Sequence, residues 1–582
     1  MYSFADFLLD TNSRKLFHKN EVINISARAY EILLLLIKNQ GEVVTKETLL
    51  QEIWADSYVE ESNLAVHISA LRRNLGEKRG ERKFIETVSG RGYCFVKSVK
   101  IVKKTSSKLI RSFELDSTND SSELTLAVLP FNFQNNEDEY LADGITESLI
   151  GNLSKLPNLI VTAFSAVKKY RETKLDLQEI GFQLGVNKIL VGEIIDTSEK
   201  LSVRLEMVKA SDMSHLWSAK CDVETKDIFQ LKKKVSIKVA EKLQINFAAN
   251  SLSQHSDSEK IDFETHKLFL KGKFILDNTF VITKSQKSLL QSIEIFQQVL
   301  LRVPHFAAAY VAIASCYLHL HNYYYLSSDE AIPKVKTYLQ LALSLDSNNS
   351  DAYRLLGEIK VIFERNWEEA EELLSKSLAL NPNNLQTYNW LGILSTLLGR
   401  FEDAEKYYQK ALEINPISLG HLMGLCRVYF FNQDFEKAFN YAQEALDLDP
   451  NFYSPKIFSA IIKVEQGEVD EAIEIIEKAI SAKETQEALT IKGYIFCKKG
   501  DFETAHKILK QILKKTNKFI IDNYELGVLY SALGDFDKAF ESFEKGLKSN
   551  SINLCLIKID PRINNLKHDK RYNALIKKLN LN

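Results

Sequence analysis

Alanine recurs at a fixed interval in the C-terminal half of the chain. Ala370, Ala404, Ala438 and Ala472 stand 34 residues apart, Ala505 follows after 33 and Ala539 after 34; Pro382, Pro416 and Pro450 keep the 34-residue spacing as well. Within one unit Tyr408 and Ala411 follow Ala404 at 4 and 7 residues, and Gly392 precedes it by 12. Residues four and seven apart share one helix face. Small side chains let paired helices approach, and larger ones fill the groove between them. A period of this length therefore prescribes a solenoid of stacked helix pairs, each unit burying its apolar face on the next.

The segments GRFEDAEKYYQKALEINP, QDFEKAFNYAQEALDLDP and GDFDKAFESFEKGLKSN resemble the tetratricopeptide repeat. About eight units fit residues 260–551. The first two are degenerate: Phe296 and Pro304 mark one, and Tyr310, Tyr317 and Ala342 the other, with an insertion at HNYYYLSSDEA. Residues 552–582 read as capping helices that hide the last repeat's apolar face. The resemblance implies a concave surface that takes a protein or peptide, with Asn389, Asn415 and Tyr323–Tyr325 as candidate contacts.

A chain of 582 residues is too long for one core, so several domains are expected. The net charge is −2, but residues 1–112 carry 19 Lys+Arg against 13 Asp+Glu, a net +6, and the remainder carries −8. Such asymmetry points to a polyanionic partner at one end. Cys94, Cys221, Cys316, Cys426, Cys497 and Cys555 are widely separated, so no disulfide framework or CxxC pair is read, and reduced thiols in a cytoplasmic protein are expected. The N-terminus has no basic segment followed by an apolar core. The apolar run Ile32–Ile37 falls far short of the roughly 20 residues a membrane helix needs, so no membrane partner is expected.

The basic end has its own pattern. AYEILLLLIKN (29–39) reads as a buried helix, and Thr45 as the N-cap of a second helix ending near Trp54. A third begins after Glu60, where Leu64, Ile68, Leu71 and Leu75 form one apolar stripe and Gly76 a stop. Ser62, Val66, Ser69, Ala70 and Arg73 oppose that stripe, with Asn63 and Asn74 on one flank and Arg72 on the other. No acidic residue follows Glu61 on this face, and small hydrogen-bonding side chains ending in two arginines suit close approach to phosphates. FIETVSGRGYCFV then reads as a hairpin whose Gly-Arg-Gly tip carries Arg91.

Helices, basic third helix and hairpin, in the order ISARAYEILLLLIKNQGEVVTKETLLQEIW, SNLAVHISALRRNLG and FIETVSGRGYCF, resemble the OmpR/PhoB-type winged helix-turn-helix, closest in style to its CadC-like branch. The resemblance covers residues 1–98 and implies a small N-terminal sheet, three helices and a wing. It implies duplex DNA as partner, with Asn63, Val66, Ser69, Ala70 and Arg73 facing the major groove and Trp54, Arg72, Arg91 and Tyr93 at backbone-contact positions. Ser62, His67 and Asn74 complete the candidate DNA-binding set. Ser69 and Ala70 stand where basic side chains are common, so no bidentate guanine contact can come from there. Paired modules on repeated half-sites, and thus a homodimer, would compensate. No receiver domain precedes this module, so its control is expected from the C-terminal side.

Residues 99–123 (VKIVKKTSSKLIRSFELDSTNDSSE) read as a flexible linker. From Leu124 the pattern turns α/β: LTLAVLPF a buried strand, Asp143 the cap of a helix over GITESLIGNLSKL, LDLQEIGFQLG a helix, VNKILVGEII, KLSVRLEMV and HLWSAKCDV strands, and DIFQLKKKVSIKVAEKLQI a closing helix. The combination AVLPF, YLADGITESLI, LGVNKILVGEI and HLWSAKCDVETKDIF resembles the TolB-like domain over residues 124–246. LADG reads as a turn into a helix, and His215 and Trp217 as a partly buried strand end. There is no P-loop, no GxGxxG and no metal-spaced cluster, so no cofactor, metal or catalytic residue is assigned.

The expectation is a multidomain chain: N-terminal winged helix (α+β), middle α/β domain and all-α repeat solenoid. Its expected role is that of a one-component, soluble, non-enzymatic transcription regulator. The alternative is a repeat-based scaffold whose winged helix mainly contacts protein. A nucleotide cyclase, with which such segments also occur, would need a catalytic core for which the chain has no room.

Overall fold

In the computed structural model the chain is described over residues 1–582 except 12, 20, 24, 55–60, 79–80, 89, 103–123, 134–138, 157, 172, 174, 197–199, 224–227, 244, 246–260, 515–521 and 582. Strands β1 (Tyr2–Phe4), β2 (Phe7–Asp10), β3 (Lys15–His18) and β4 (Glu21–Ile23) form an antiparallel meander. Helix α1 (Ala27–Lys38) starts where the Ser26 hydroxyl accepts the Ala29 N–H. Strand β5 (Val43–Thr45) feeds α2 (Lys46–Ile53), which Thr45 caps by accepting the Thr48 N–H. Helix α3 (Glu61–Asn74) ends at Gly76, whose φ of +72° is the left-handed stop the sequence indicates. Strands β6 (Ile85–Val88) and β7 (Gly92–Phe95) make the hairpin, with β5 paired to β7. Strand β8 (Lys100–Ile101) then returns to β1, beyond residue 98 where the linker was expected to begin; residues 103–123 lie outside the described residues.

The middle domain comprises β9 (Leu124–Val128), β10 (Asn132–Phe133), α4 (Glu139–Leu153), β11 (Leu159–Val161), α5 (Phe164–Val167), α6 (Leu177–Leu184), β12 (Lys188–Asp196), β13 (Leu201–Lys209), β14 (His215–Val223) and α7 (Ile228–Lys242). Its sheet runs β11-β9-β12-β13-β14, parallel at the first three strands and antiparallel after β12. Asp143 does not cap a helix. Helix α4 begins at Glu139, which leaves Asp143 within it, buried and paired with Arg171. His215 is exposed and Trp217 buried.

The array begins with α8 (Phe263–Phe274), the short α9 (Val281–Thr283) and α10 (Gln286–Arg302), then pairs α11 (Ala307–Asn322) with α12 (Ser328–Leu345). The next pairs are α13 (Ser350–Ile359) with α14 (Trp367–Leu380), α15 (Leu385–Leu397) with α16 (Phe401–Ile414), and α17 (Leu419–Phe431) with α18 (Phe435–Leu448). After them come α19 (Tyr453–Glu465) with α20 (Val469–Ala482), α21 (Gln486–Lys499) with α22 (Phe502–Lys514), and α23 (Asn523–Ala532) with α24 (Phe536–Lys548). The small/large alternation is literal. A Cβ on Gly357 would meet Leu374 at 2.7 Å, and one on Gly527 would meet Phe543 at 2.3 Å. The array is fused to the middle domain, because a Cβ on Gly144 of α4 would meet Leu270 of α8 at 2.5 Å.

Residues 552–582 do more than cap. They form two 3₁₀ stretches (Ile552–Lys558 and Pro561–Leu566) and α25 (Lys570–Lys578). Asp560 accepts the Tyr524 hydroxyl at 2.7 Å, and Arg562 is bidentate to Glu525 at 2.8 Å. At the far end the Trp367 indole N–H donates to the Asn580 carbonyl at 2.8 Å. The tail thus ties α23 back to the start of α14.

Candidate nucleic-acid interface

Helix α3 lies against α1 and α2, and its C-terminal end reaches the hairpin through Arg72. Leu64, Ile68, Leu71 and Leu75 are all buried in the winged-helix core, as their spacing requires. Ala70 joins that core too, 1% exposed, and so does not face outward as the helical projection suggested. Arg72 is also turned inward. Its guanidinium donates to the Ile85 carbonyl from Nε (3.0 Å) and Nη2 (2.8 Å) and to Thr87 Oγ1 (2.8 Å). It is a bolt between α3 and β6, and is not placed to meet a phosphate. Glu77 completes the bolt by accepting the Phe84 and Ile85 N–H groups, and burial raises its carboxyl pKa. Glu77 opens the charged string EKRGERK.

Two further backbone-contact candidates are also buried. Tyr93 is fully enclosed, and Trp54 packs 5.3 Å from the His67 ring with the Arg28 guanidinium over its face. Arg91 remains in solvent at the hairpin tip, beside Gly90 with φ of +68°. The second tip glycine has an internal role. A Cβ on Gly92 would lie 2.0 Å from the Val44 carbonyl oxygen, so its absence lets β5 close on the hairpin.

The outward side of α3 is covered by the rest of the chain. Val66, 4% exposed, belongs to the hydrophobic cluster of the repeats. Ser69 donates to Glu444 at 3.3 Å, Thr87 donates to Asp447 at 3.1 Å, and Arg82 Nη2 donates to the Asn440 carbonyl at 3.0 Å, all three acceptors on α18. Burial and Arg72 push the Arg82 pKa down to about 10, so it stays a cation at neutral pH. Burial raises the Asp447 carboxyl, against the pull of Arg72, Lys46 and Arg82. From the middle domain, Glu179 Oε1 lies 2.9 Å from His67 Nδ1, an ion-pair distance off the hydrogen-bonding direction, and both side chains are buried. Arg73 Nη2 donates to the Phe182 (3.0 Å) and Gln183 (3.2 Å) carbonyls, capping the carboxyl end of α6. Ser62, Asn63 and Asn74 are half-buried, and Asn74 donates to the Ala70 carbonyl at 2.9 Å. Arg82 was missed by sequence reading because its partner lies 358 residues away.

Among the described residues no group of His, Cys, Asp and Glu is placed to hold a metal ion, and no helix is long and apolar enough to cross a membrane.

Fold and site define a winged-helix chain with tetratricopeptide repeats, built from domain types found in transcriptional regulators. Residues 20–95 match the family described as transcriptional regulatory protein, C terminal, and residues 121–238 the second domain of HilA/YgeH-like transcriptional regulators. Residues 386–417, 424–452 and 523–553 match tetratricopeptide repeats. The transcriptional regulator HilA of Salmonella typhimurium is 29% identical over 365 residues, 62% of this chain and 61% of its own length. The chain thus spans less than two thirds of the curated relatives it matches first. VanR of Enterococcus faecium is 33% identical over 91 residues, 15% of this chain and 39% of its own. A Rhizobium meliloti sequence described as a candidate adenylate cyclase is 28% identical over 151 residues, 26% of each chain.

Proposed function

We propose that this chain is a DNA-binding transcription regulator that grips duplex DNA through α3 and the Arg91 hairpin. The observation that carries this reading is the winged helix itself: residues 20–95 match a regulator's DNA-binding domain and leave Arg91 in solvent at the hairpin tip. Phosphate contacts make such binding fall steeply with salt. Selection of bound duplexes from a random pool by the full chain at low salt tests it. Enriched sequences are expected, and Arg91→Ala should weaken binding to them about fivefold and lower the salt slope by about 1. A pool that stays unenriched overturns the reading.

Finer parts of the proposal rest on separate support. The α/β order of the middle domain supports a TolB-like coupling role. The concave face of the array suits a protein or peptide ligand. Two chains on adjacent half-sites would gain affinity through effective concentration. Six free, buried cysteines fit a reducing cytoplasm. No catalytic step forms part of the reading.

A second reading, a scaffold whose winged helix contacts protein, draws on the α3–α18 packing. Chromatin immunoprecipitation separates the two: discrete enriched sites support the regulator, and none support the scaffold.

A further inference from the structure

Within the array, α18 is the exception in charge. Counting six residues on from each repeat alanine gives Lys376, Lys410, Lys478 and Lys545, with Gln511 in the fifth of the six repeats aligned this way. In α18 the same position is Glu444. The lysines are exposed, whereas Glu444 is 5% exposed because α3 lies over it. Asn440, Glu444 and Asp447 recur at 4 and 3 residues, one stripe of α18, and each meets the winged helix. The opposite stripe, Ala438, Ala442 and Ala445, packs within the array. The position that is a solvated cation in four repeats is thus an anion in the repeat that meets the basic domain.

The α3 side of the contact is matched to it. Ala65, Val66 and Ser69 are small enough for two helices to pack closely, which explains why α3 carries so few long basic side chains on this face. The basic groups around the contact, Arg82 and Arg73, are engaged by the Asn440 carbonyl and by the end of α6. A major groove cannot take α3 while α18 and α6 lie on it, because both need the same face.

We propose that the acidic stripe of α18, together with α6, is a docking surface for the chain's own recognition helix, and that it excludes DNA. The proposal rests on the DNA-binding reading above. Docked and DNA-bound states are alternatives, so duplex DNA and the α18 surface compete for α3; any partner that favours undocking raises DNA affinity, and DNA raises that partner's affinity by the same factor.

The test uses the full chain and a fluorescent duplex recovered from the random-pool selection, or a mixed-sequence 30-base-pair duplex at low salt, read by anisotropy. Glu444→Lys restores the residue that four other repeats tolerate in solvent, so α18 should stay folded. It should raise DNA affinity about tenfold, within the usual range of intramolecular coupling. Glu413→Lys, on the exposed face of α16, adds the same charge away from α3 and should leave affinity within about twofold. Thr87→Cys with Asp447→Cys should lock the contact: oxidation abolishes binding and reductant restores it. Hydrogen exchange should show α3 amides protected in the wild type and faster in Glu444→Lys. If the wild type binds duplex and Glu444→Lys binds no tighter, with α3 amides equally fast in both, the docking surface does not control DNA and the proposal fails while the DNA reading stands. If no form binds any duplex even where α3 exchanges fast, the DNA reading fails and takes this proposal with it.

Discussion

Three arginines that look alike in sequence have three different roles. Arg72 ties α3 to the Ile85 carbonyl, Arg73 caps α6, and Arg91 points into solvent. Replacing Arg72 by alanine strands buried acceptors and the Glu77 carboxylate, and should cost about 2–3 kcal/mol of winged-helix stability by urea denaturation. Arg91→Ala should change stability by less than about 0.5 kcal/mol, because its side chain is exposed and makes no hydrogen bond or ion pair among the described residues. Lys232 offers a pH test. It lies 3.0 Å from both Ser148 Oγ and His266 Nε2, and burial pushes its ammonium down to about 7. The same burial and the Lys232 charge keep His266 well below its ordinary value, so that ring stays neutral. A lysine depressed from 10.5 makes the unfolded chain hold a proton that the folded chain releases above about pH 7. Stability from this group therefore rises with pH between about 7 and 10.5, by up to about 1.4 kcal/mol per unit. Thermal denaturation of wild type against Lys232→Met checks it: the difference should shrink as pH rises.

The elements themselves were largely written in local pattern. Thr45 capping α2, the stop at Gly76 and the stripe on α3 follow from cap chemistry and helical spacing, which need only neighbours in sequence. Asp143 shows where that logic fails. An Asp-Gly pair resembles a cap, yet the segment before it has enough buried contacts, Leu141 and Ala142 among them, to start the helix a turn earlier. In the array, Gly392 was legible as a small partner, but Gly424 was not. A Cβ on either would meet the Tyr408 ring, at 2.6 and 2.4 Å, so one tyrosine wedges between two successive first helices. Tyr408→Ala should cost about 3–5 kcal/mol in the array's urea transition. Gly424→Ala should cost about 1–3 kcal/mol, although alanine is otherwise the better helix former, because the ring has nowhere to go.

At the scale of the molecule, long-range ties close the chain on itself. The tail joins Tyr524 and Glu525 to Trp367 across the array. Truncation before residue 552 should red-shift tryptophan emission, since Trp367 loses its cover, and should lower the array's Tm by about 5–10 °C. An unchanged spectrum and midpoint would mean the tail contributes no closure. Nearest-neighbour stacking alone predicts an effect confined to the last repeat; the tie to Trp367 predicts new protease cleavage near α13 and α14 as well.

The chain's sequence by itself determined the solenoid, its period, the winged helix and the α/β order between them, because each is encoded by residues within one or two helical turns or strand steps. Only the tertiary structure decided what covers α3. Ser69 and Glu444 are 375 residues apart, and a single carboxylate in place of a lysine on a repeat helix looks, in sequence, like any other surface charge. Its meaning arises when folding brings it out of water against a helix that a duplex would otherwise occupy.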